Sequence, residues 1–448
     1  MFQKILIANR GEIARRVIRT CDKLGIQTVA IYSTADADSL HVRDASESYA
    51  VGEAQVNQSY LNVDAIIDVA KRSGAEAIHP GYGLLSENAD FARAVEAAGL
   101  TWIGPKPEVI EEMGSKLAAR QRMEDAGVPI IKGTNNAVAD VDEAARIAGD
   151  IGYPVMLKAS AGGGGIGMQA VHDEEALRKA FDGNQQRAAN FFGDGTMFVE
   201  QLIEAPHHVE VQVLADTHGN VIPVFERECS VQRRNQKVVE EAPSPFISPE
   251  TREQMLDAAV AAAQAINYTN AGTIEFLVDA SQNFYFLEMN TRLQVEHPIT
   301  EEISGLDLVE WQLKVASGET LTVKREDLTI NGHAIEVRIY AEDPVKFFPS
   351  PGTIQTFSIP EGEGIRHELS VEAGSVVTPF YDPMIAKLVT HGDTRDVAIE
   401  RMTDALDQYE VTGIKTNIPL LRKIMAHPVF KSGVTTTKFI DEYKEELK

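Results

Sequence analysis

Glu288-Met-Asn-Thr-Arg-Leu-Gln-Val-Glu-His297 decides how the rest of this chain is read. Run as an extended strand, it sends successive side chains to opposite faces. Glu288, Asn290, Arg292, Gln294 and Glu296 then share one face, and Met289, Thr291, Leu293, Val295 and His297 the other. A polar row carrying both signs of charge makes a poor core and a good place to hold a cation and an anion together. Upstream, Gly272–Val278 and Asn283–Glu288 are rich in β-branched and aromatic residues, with turn composition at Asp279-Ala-Ser-Gln-Asn283 between them. That pattern predicts a hairpin. A turn centred between Ser281 and Gln282 sets Glu275 opposite Glu288. Carboxylates facing each other across about 5 Å repel. A divalent ion between them reverses the sign, and Asn290 offers a third oxygen ligand. Such ligands suit Mg²⁺ or Mn²⁺ completed by nucleotide phosphates; the bland alternative is a solvated hairpin edge.

Composition narrows the partners. At 448 residues the chain has room for roughly three domains. Its 42 Lys and Arg against 67 Asp and Glu give a net charge of −25, a field that repels nucleic acid. No apolar run reaches the roughly 18 residues of a membrane span. The opening Met-Phe-Gln-Lys-Ile-Leu-Ile-Ala enters a strand directly and lacks a signal-peptide layout, so a cytoplasmic protein is expected. Cys21 and Cys229 are too few for a disulfide framework or a thiolate metal cluster.

Taken in order, Lys4–Ala8, Thr28–Tyr32, Ala75–His79 and Thr101–Gly104 read as strands. Amphipathic helices fall between them, around Ile13–Leu24, Val63–Ser73 and Asn88–Ala98. This alternation predicts an open parallel α/β sheet. G-x-G-x-x-G is missing from the first turn, so no NAD site is assigned. Asn9-Arg-Gly-Glu12 and His79-Pro-Gly-Tyr-Gly-Leu-Leu-Ser-Glu-Asn88 lie where strand C-termini form clefts. Tyr82 in the second segment reads equally as loop structure and as a ligand contact.

Beyond Met113, a helix begins at Lys116, and the strand Val155–Lys158 runs straight into Ala159-Ser-Ala-Gly-Gly-Gly-Gly-Ile-Gly167. Glycines let backbone N–H groups approach phosphate oxygens, and Lys158 adds a charge; a plain hinge is the other reading. The strand Thr196–Glu200 leads into Glu200-Gln-Leu-Ile203, an edge of the kind that holds a nucleotide base. His207 and His208 follow, read either as a surface pair or as functional, ahead of the strand Val209–Leu214. Arg227, Arg233, Arg234 and Lys237 stand together in an otherwise acidic chain, which favours an anion site over a solvated face. After a boundary around 318–327, Gly332–Tyr340 alternates and sets Ala334, Glu336, Arg338 and Tyr340 on one face. Strands at Thr353–Ser358, Ser375–Thr378 and Lys387–His391, with helices Val397–Tyr409 and Ile418–Ala426, complete an α+β cap.

Ile7-Ala-Asn-Arg-Gly-Glu-Ile-Ala14, the His79–Asn88 segment, the tetraglycine loop, Glu240-Glu-Ala-Pro243 and Glu288–Pro298, in this order, resemble the biotin carboxylase family of the ATP-grasp superfamily over essentially the whole chain. The resemblance implies an N-terminal open parallel α/β domain at 1–113, an ATP-grasp body at 114–320 with a glycine-rich lid at about 131–203, and a C-terminal α+β domain at 330–445. It implies ATP-dependent carboxylation of biotin by bicarbonate, with two Mg²⁺ or Mn²⁺ ions. ATP would contact Lys116, Lys158, Gly163, Gly164, Gly165, Glu200, Gln201, Leu202, Ile203, His208, Gln232, Asn235, Glu275 and Glu288. Glu275, Glu288 and Asn290 would ligate metal, and Lys237, Arg292, Gln294 and Val295 would hold bicarbonate. Glu296 would be the base, and Arg338, with Tyr82 nearby, would serve biotin.

A guanidinium about 4 Å from a biotin enolate gains on the order of 4 kcal/mol. Ile166 stands where relatives often carry Arg or Lys, and Asn235 where many carry His. No Ala-Met-Lys-Met motif occurs, and Pro383-Met-Ile-Ala-Lys387 has the wrong order, so biotin is expected on a separate biotin carboxyl carrier protein. The other expected partners are carboxyltransferase subunits, with a second copy of the chain completing a homodimer. An acyl-CoA or pyruvate is the open final acceptor. Another ATP-grasp carboxylate ligase, or a nucleotide sensor without turnover, are the competing readings.

Overall fold

The computed structural model describes residues 1–161 and 167–448; Gly163, Gly164, Gly165 and Ile166 lie outside the described residues. The N-terminal sheet is parallel throughout. Its spatial order is Glu47–Gly52, Gln27–Ser33, Lys4–Ile7, Ala77–His79, Thr101–Trp102. The first of these strands has no counterpart in the sequence reading. Chain order reverses between Lys4–Ile7 and Ala77–His79, and the loops leaving these two strands meet there. Asn9 Nδ2 donates to the carbonyls of Pro80 (2.8 Å) and Tyr82 (2.7 Å). The approach requires Gly81: its φ is +64°, and a Cβ would lie 2.8 Å from Asn9 Nδ2.

An eight-stranded antiparallel sheet forms the body, in the order Phe284–Asn290, Asn270–Val278, His207–Ala215, Val221–Arg233, Gln236–Ala242, His333–Tyr340, Met384–Gly392, Ile365–Leu369. The sequence reading treats the C-terminal strands as a separate cap. The structure instead hydrogen-bonds His333–Tyr340 to Gln236–Ala242, so one sheet runs through both parts. Gly352–Thr353 and Thr356–Ser358, read as one strand, belong to two different small sheets. A three-stranded sheet, Met168–Val171, Val155–Ala159 and Met197–Gln201, packs with helices Val141–Ile151 and Glu174–Phe192 around its own core. Among the described residues, no helix is long and apolar enough to cross a membrane.

The predicted hairpin forms, with Glu275 paired to Glu288 and Thr273 to Asn290. Beyond Glu275 the register slips by one, so that Phe276 faces Phe286. The turn holds five residues, with Gln282 at φ +69° and a bulge absorbing the odd one. The stretch from Glu288 to His297 is not extended throughout, as its alternation suggests. The strand ends at Asn290, and Thr291–Glu296 turns into a helix at His297–Ser304. Leu293, fully buried among Ile7, Leu308 and Val309, anchors that turn. Leu293→Ala should cost about 2–5 kcal/mol, read as a lower urea midpoint with native circular dichroism retained before the transition.

Candidate active site

Alternation gives the large sheet one apolar and one polar side. In His207–Ala215, Val209, Val211 and Val213 enter the core, while His208, Glu210 and Gln212 face the other way and are buried too. Burying such groups is tolerable only when they are hydrogen-bonded. Arg227 meets that demand: fully buried, it donates to Glu210 (2.6 Å), Gln212 (2.8 Å), Thr300 (2.8 Å) and Thr273 (3.1 Å).

The four cations read as one anion site do not act together. Arg227 is spent inside the sheet. Two register shifts between Glu228 and Gln232 turn the strand, and Arg233 goes to Glu342 and the ring of Phe347. Arg234 and Asn235 form an exposed turn with φ +51° and +63°. Lys237 alone enters the site. Its ammonium reaches Glu210 Oε2 (2.5 Å), Glu296 Oε1 (2.7 Å) and Glu275 Oε1 (2.8 Å). Burial pulls Lys237 down, but the three carboxylates outweigh it and hold the ammonium well above its ordinary range.

Glu296, fully buried, takes Arg338 Nη2 on its other oxygen at 3.0 Å. Burial raises this carboxyl, yet Lys237, Arg338 and Arg227 prevail and keep it ionised well below the usual range. Glu275 also meets His208 Nε2 (3.0 Å) and Gln294 Nε2 (3.1 Å). Gln232 Nε2 lies 3.0 Å from His208 Nδ1, which assigns the His208 proton to Nε2. The surface-pair reading of the two histidines is thereby corrected: both are buried, and His207 stacks on Phe246 and pairs with Glu228.

Arg292 is clamped between Glu87 (2.8 Å), Gln294 Oε1 (2.9 Å) and Asn290 Oδ1 (3.0 Å). The carbonyl of Gln294 accepts from His297 N–H (3.3 Å) and pairs with Nδ1 (2.8 Å). Across a planar trans peptide, the Val295 N–H therefore points away from the helix. Lys387, read from sequence only as a failed biotin motif, lies buried and donates to the Val295 carbonyl at 2.5 Å.

On the nucleotide side, Lys158 is buried against Glu200, which also lies 3.4 Å from Arg120. The N–H groups of Gln201 and Leu202 are committed to the carbonyls of Lys132 (2.7 Å) and Pro154 (3.2 Å), whereas Ile203 N–H has no such partner among the described residues. Lys116 Nζ lies 3.9 Å from Glu288. On the opposite side, Tyr82 bonds to Glu12 and lines a cavity of about 390 Å³ together with Asn9, Arg338, Phe380 and Tyr381. It therefore serves both the loop and the cavity.

The opposed pair fits a divalent ion. Burial and the charge of Glu275 push Glu288 upward against the pull of Lys116, while Lys237 and His208 keep Glu275 ionised, so Glu288 is the member that an added cation would relieve. Asn290 presents its oxygen from the same face, currently to Arg292. Sequence reasoning missed Glu87, Glu210 and Lys387. Strict alternation in His207–Ala215 could have flagged Glu210, and a lone lysine amid Met-Ile-Ala-Lys-Leu-Val could have flagged Lys387.

Known proteins bear on this geometry. Family models match residues 1–110 (biotin carboxylase, N-terminal domain), 115–324 (carbamoyl-phosphate synthase L chain, ATP binding domain) and 336–442 (biotin carboxylase C-terminal domain). The chain is 63% identical to the biotin carboxylase of Halalkalibacterium halodurans, covering 99% of this chain and 98% of that one. It is 54% identical to a pyruvate carboxylase component from Methanothermobacter thermautotrophicus, over 100% and 91% of the two chains. The crystal structure of the biotin carboxylase domain dimer of Hydrogenobacter thermophilus 2-oxoglutarate carboxylase, with MgADP, ADP and bicarbonate, superimposes with a TM-score of 0.97. It shares 50% identity over 100% of this chain and 99% of that one.

Glu87→Ala removes the clamp on Arg292 at a partly exposed position. The bicarbonate KM should rise about fivefold, equivalent to about 1 kcal/mol, with the ATP KM unchanged in steady-state assays.

Proposed function

The chain belongs to the biotin carboxylase family of ATP-dependent ligases, and from that membership we propose that it carboxylates biotin borne on a separate carrier protein, as the first half-reaction of an acyl-CoA carboxylase. One observation carries the assignment of roles. Glu296 is held between Lys237 and Arg338; the first leads to the Glu275 and Glu288 pair, the second to the cavity.

ATP would lie over Lys116, Lys158, the 200–203 edge and His208, with the tetraglycine loop, Gln232 and Asn235 as further contacts. Glu275, Glu288 and Asn290 would hold two Mg²⁺ or Mn²⁺ ions, which when bound neutralise phosphate charge and align the nucleotide. Lys237, Arg292, Gln294 and the Val295 N–H would receive bicarbonate. Glu296 takes its proton; the freed oxygen attacks the γ-phosphorus of ATP, the bond to the β-phosphate oxygen breaks, and ADP leaves carboxyphosphate. That anhydride separates into CO₂ and phosphate, and the phosphate accepts the N1 proton of biotin. Arg338, with Tyr82 alongside, steadies the enolate that attacks CO₂.

The low basicity of Glu296 has a purpose in this scheme. Lys237 and Arg338 keep it ionised in advance, and an arriving bicarbonate draws on the Lys237 charge, which strengthens the base when it is needed.

A homodimer, as in the 2-oxoglutarate carboxylase domain, and carboxyltransferase subunits complete the proposed assembly. The relatedness to the Methanothermobacter pyruvate carboxylase component favours a second reading, a pyruvate carboxylase. Purifying the native complex and identifying its carboxyltransferase decides between the two acceptors.

Glu296→Ala should lower bicarbonate-dependent ATP cleavage by about 10²–10⁴-fold while nucleotide binding, measured by calorimetry, stays near wild type. Arg338→Gln should keep bicarbonate-dependent ATP cleavage and lose carboxybiotin formation, followed with labelled bicarbonate; unchanged carboxybiotin would remove Arg338 from its role.

A further inference from the structure

The strands Gln236–Ala242 and His333–Tyr340 pair with Glu240 directly opposite Glu336. Cross-strand partners share a face, and this face also carries Arg338, which is paired in turn with Lys387. Neither glutamate has any solvent exposure. Glu240 Oε1 accepts from Arg338 Nε at 2.6 Å. Glu240 Oε2 and both oxygens of Glu336 have no hydrogen-bond partner among the described residues.

The nearby cations are already engaged. Arg338 spans Glu240 and Glu296. The Lys387 ammonium is bound to the Val295 carbonyl at 2.5 Å and lies 3.3 Å from Glu12. Two ionised carboxylates, register-opposed and desolvated, with three oxygens unsatisfied, are a costly arrangement. A single proton removes one charge and supplies the missing donor.

We propose that Glu240 and Glu336 share one proton, Glu336 being the neutral carboxyl that donates to the free oxygen of Glu240, and that the pair positions Arg338 by leaving a single negative charge behind it. The inference rests on the assignment of Arg338 to the biotin step. A neutral Glu336 cannot compete for the guanidinium, so Glu240 holds it next to Glu296 at the edge of the cavity. Loss of the proton would add a second charge on the same face and draw Arg338 inward, away from substrate.

The surrounding charges agree with this placement. Burial raises Glu336 well above the carboxylate range; Lys387 from the neighbouring strand and Arg338 from its own oppose this, while Glu240 and Glu296 add to it. Tyr82, bonded to Glu12, completes the ring of titratable groups that feel Glu336. Burial likewise lifts Glu240 to about 7 against the pull of Arg338.

The linkage has a definite sign. A carboxyl whose folded value is raised gives its full stabilisation below its ordinary value of 4.5 and loses it as pH climbs toward the folded value.

The test uses the full-length protein and two isosteric variants. Infrared spectra should show the carbonyl stretch of a protonated carboxyl that Glu336→Gln removes. Glu240→Gln should keep the band but shift it, because burial still holds Glu336 neutral while its carboxylate acceptor has become an amide. The melting temperature of Glu336→Gln should rise relative to wild type as pH increases from about 5 to about 9. Carboxybiotin formation should decline at alkaline pH in wild type and not in Glu336→Gln, while the biotin KM near neutrality is retained. A band that survives Glu336→Gln, a band that stays unshifted in Glu240→Gln, or melting and activity profiles that run parallel to wild type, overturns the shared proton. Absence of bicarbonate-dependent ATP cleavage in wild type would instead defeat the reading of the site, and the infrared band would still decide the fate of the pair.

Discussion

A single ammonium group holds this site together. Lys237 draws three buried carboxylates, Glu210, Glu275 and Glu296, to within 2.8 Å of one nitrogen. Without it, three like charges would crowd a desolvated face, a cost of several kcal/mol per ion. With it, the polar side of an otherwise ordinary antiparallel sheet becomes a place where substrate charge can be exchanged. The same contact ties the three strands that carry these partners to the Thr291–Glu296 turn. Glu296, the end of that turn, in turn meets Arg338 from the far half of the sheet.

Around this centre the protein separates two tasks in space. On one side the Glu275 and Glu288 pair, with Lys237 against the first and Lys116 near the second, suits metal-bound phosphates. On the other the Arg338 guanidinium opens on the cavity beside Tyr82. Glu296 lies between, bonded in one direction to Lys237 and in the other to Arg338. In the proposed scheme such a layout brings the groups that handle a proton, a phosphoryl group and CO₂ close to one another.

Much of this was legible in the residues. The carboxylate pairing of Glu275 with Glu288 followed from turn composition and the period of two, and a bulge preserved it although the turn centres on Ser281 rather than between Ser281 and Gln282. The end of the strand at Asn290 was not legible, because Leu293 acts through distant partners and His297 through a turn contact to the Gln294 carbonyl, neither of which a period of two encodes. The fate of Arg227, Arg233 and Arg234 was equally hidden: Arg227 turns to Glu210 on the neighbouring strand, and beyond it the register shifts between Glu228 and Gln232 redirect the strand, sending Arg233 to Glu342, remote in sequence. Lys387 illustrates the general limit. A buried lysine is costly in isolation, and only the fold shows the Val295 carbonyl that repays it.

The continuity of the eight-stranded sheet also bears on how such a protein could be taken apart. Gln236–Ala242 is an interior strand only because His333–Tyr340 lies beside it. Severing the chain between the two would expose a row of unpaired backbone donors and acceptors along one fragment, the template on which chains stick to each other. The C-terminal part is thus not a module to be swapped between relatives at will. Recombination, proteolytic dissection or split-protein engineering would have to carry both sides of that ladder together.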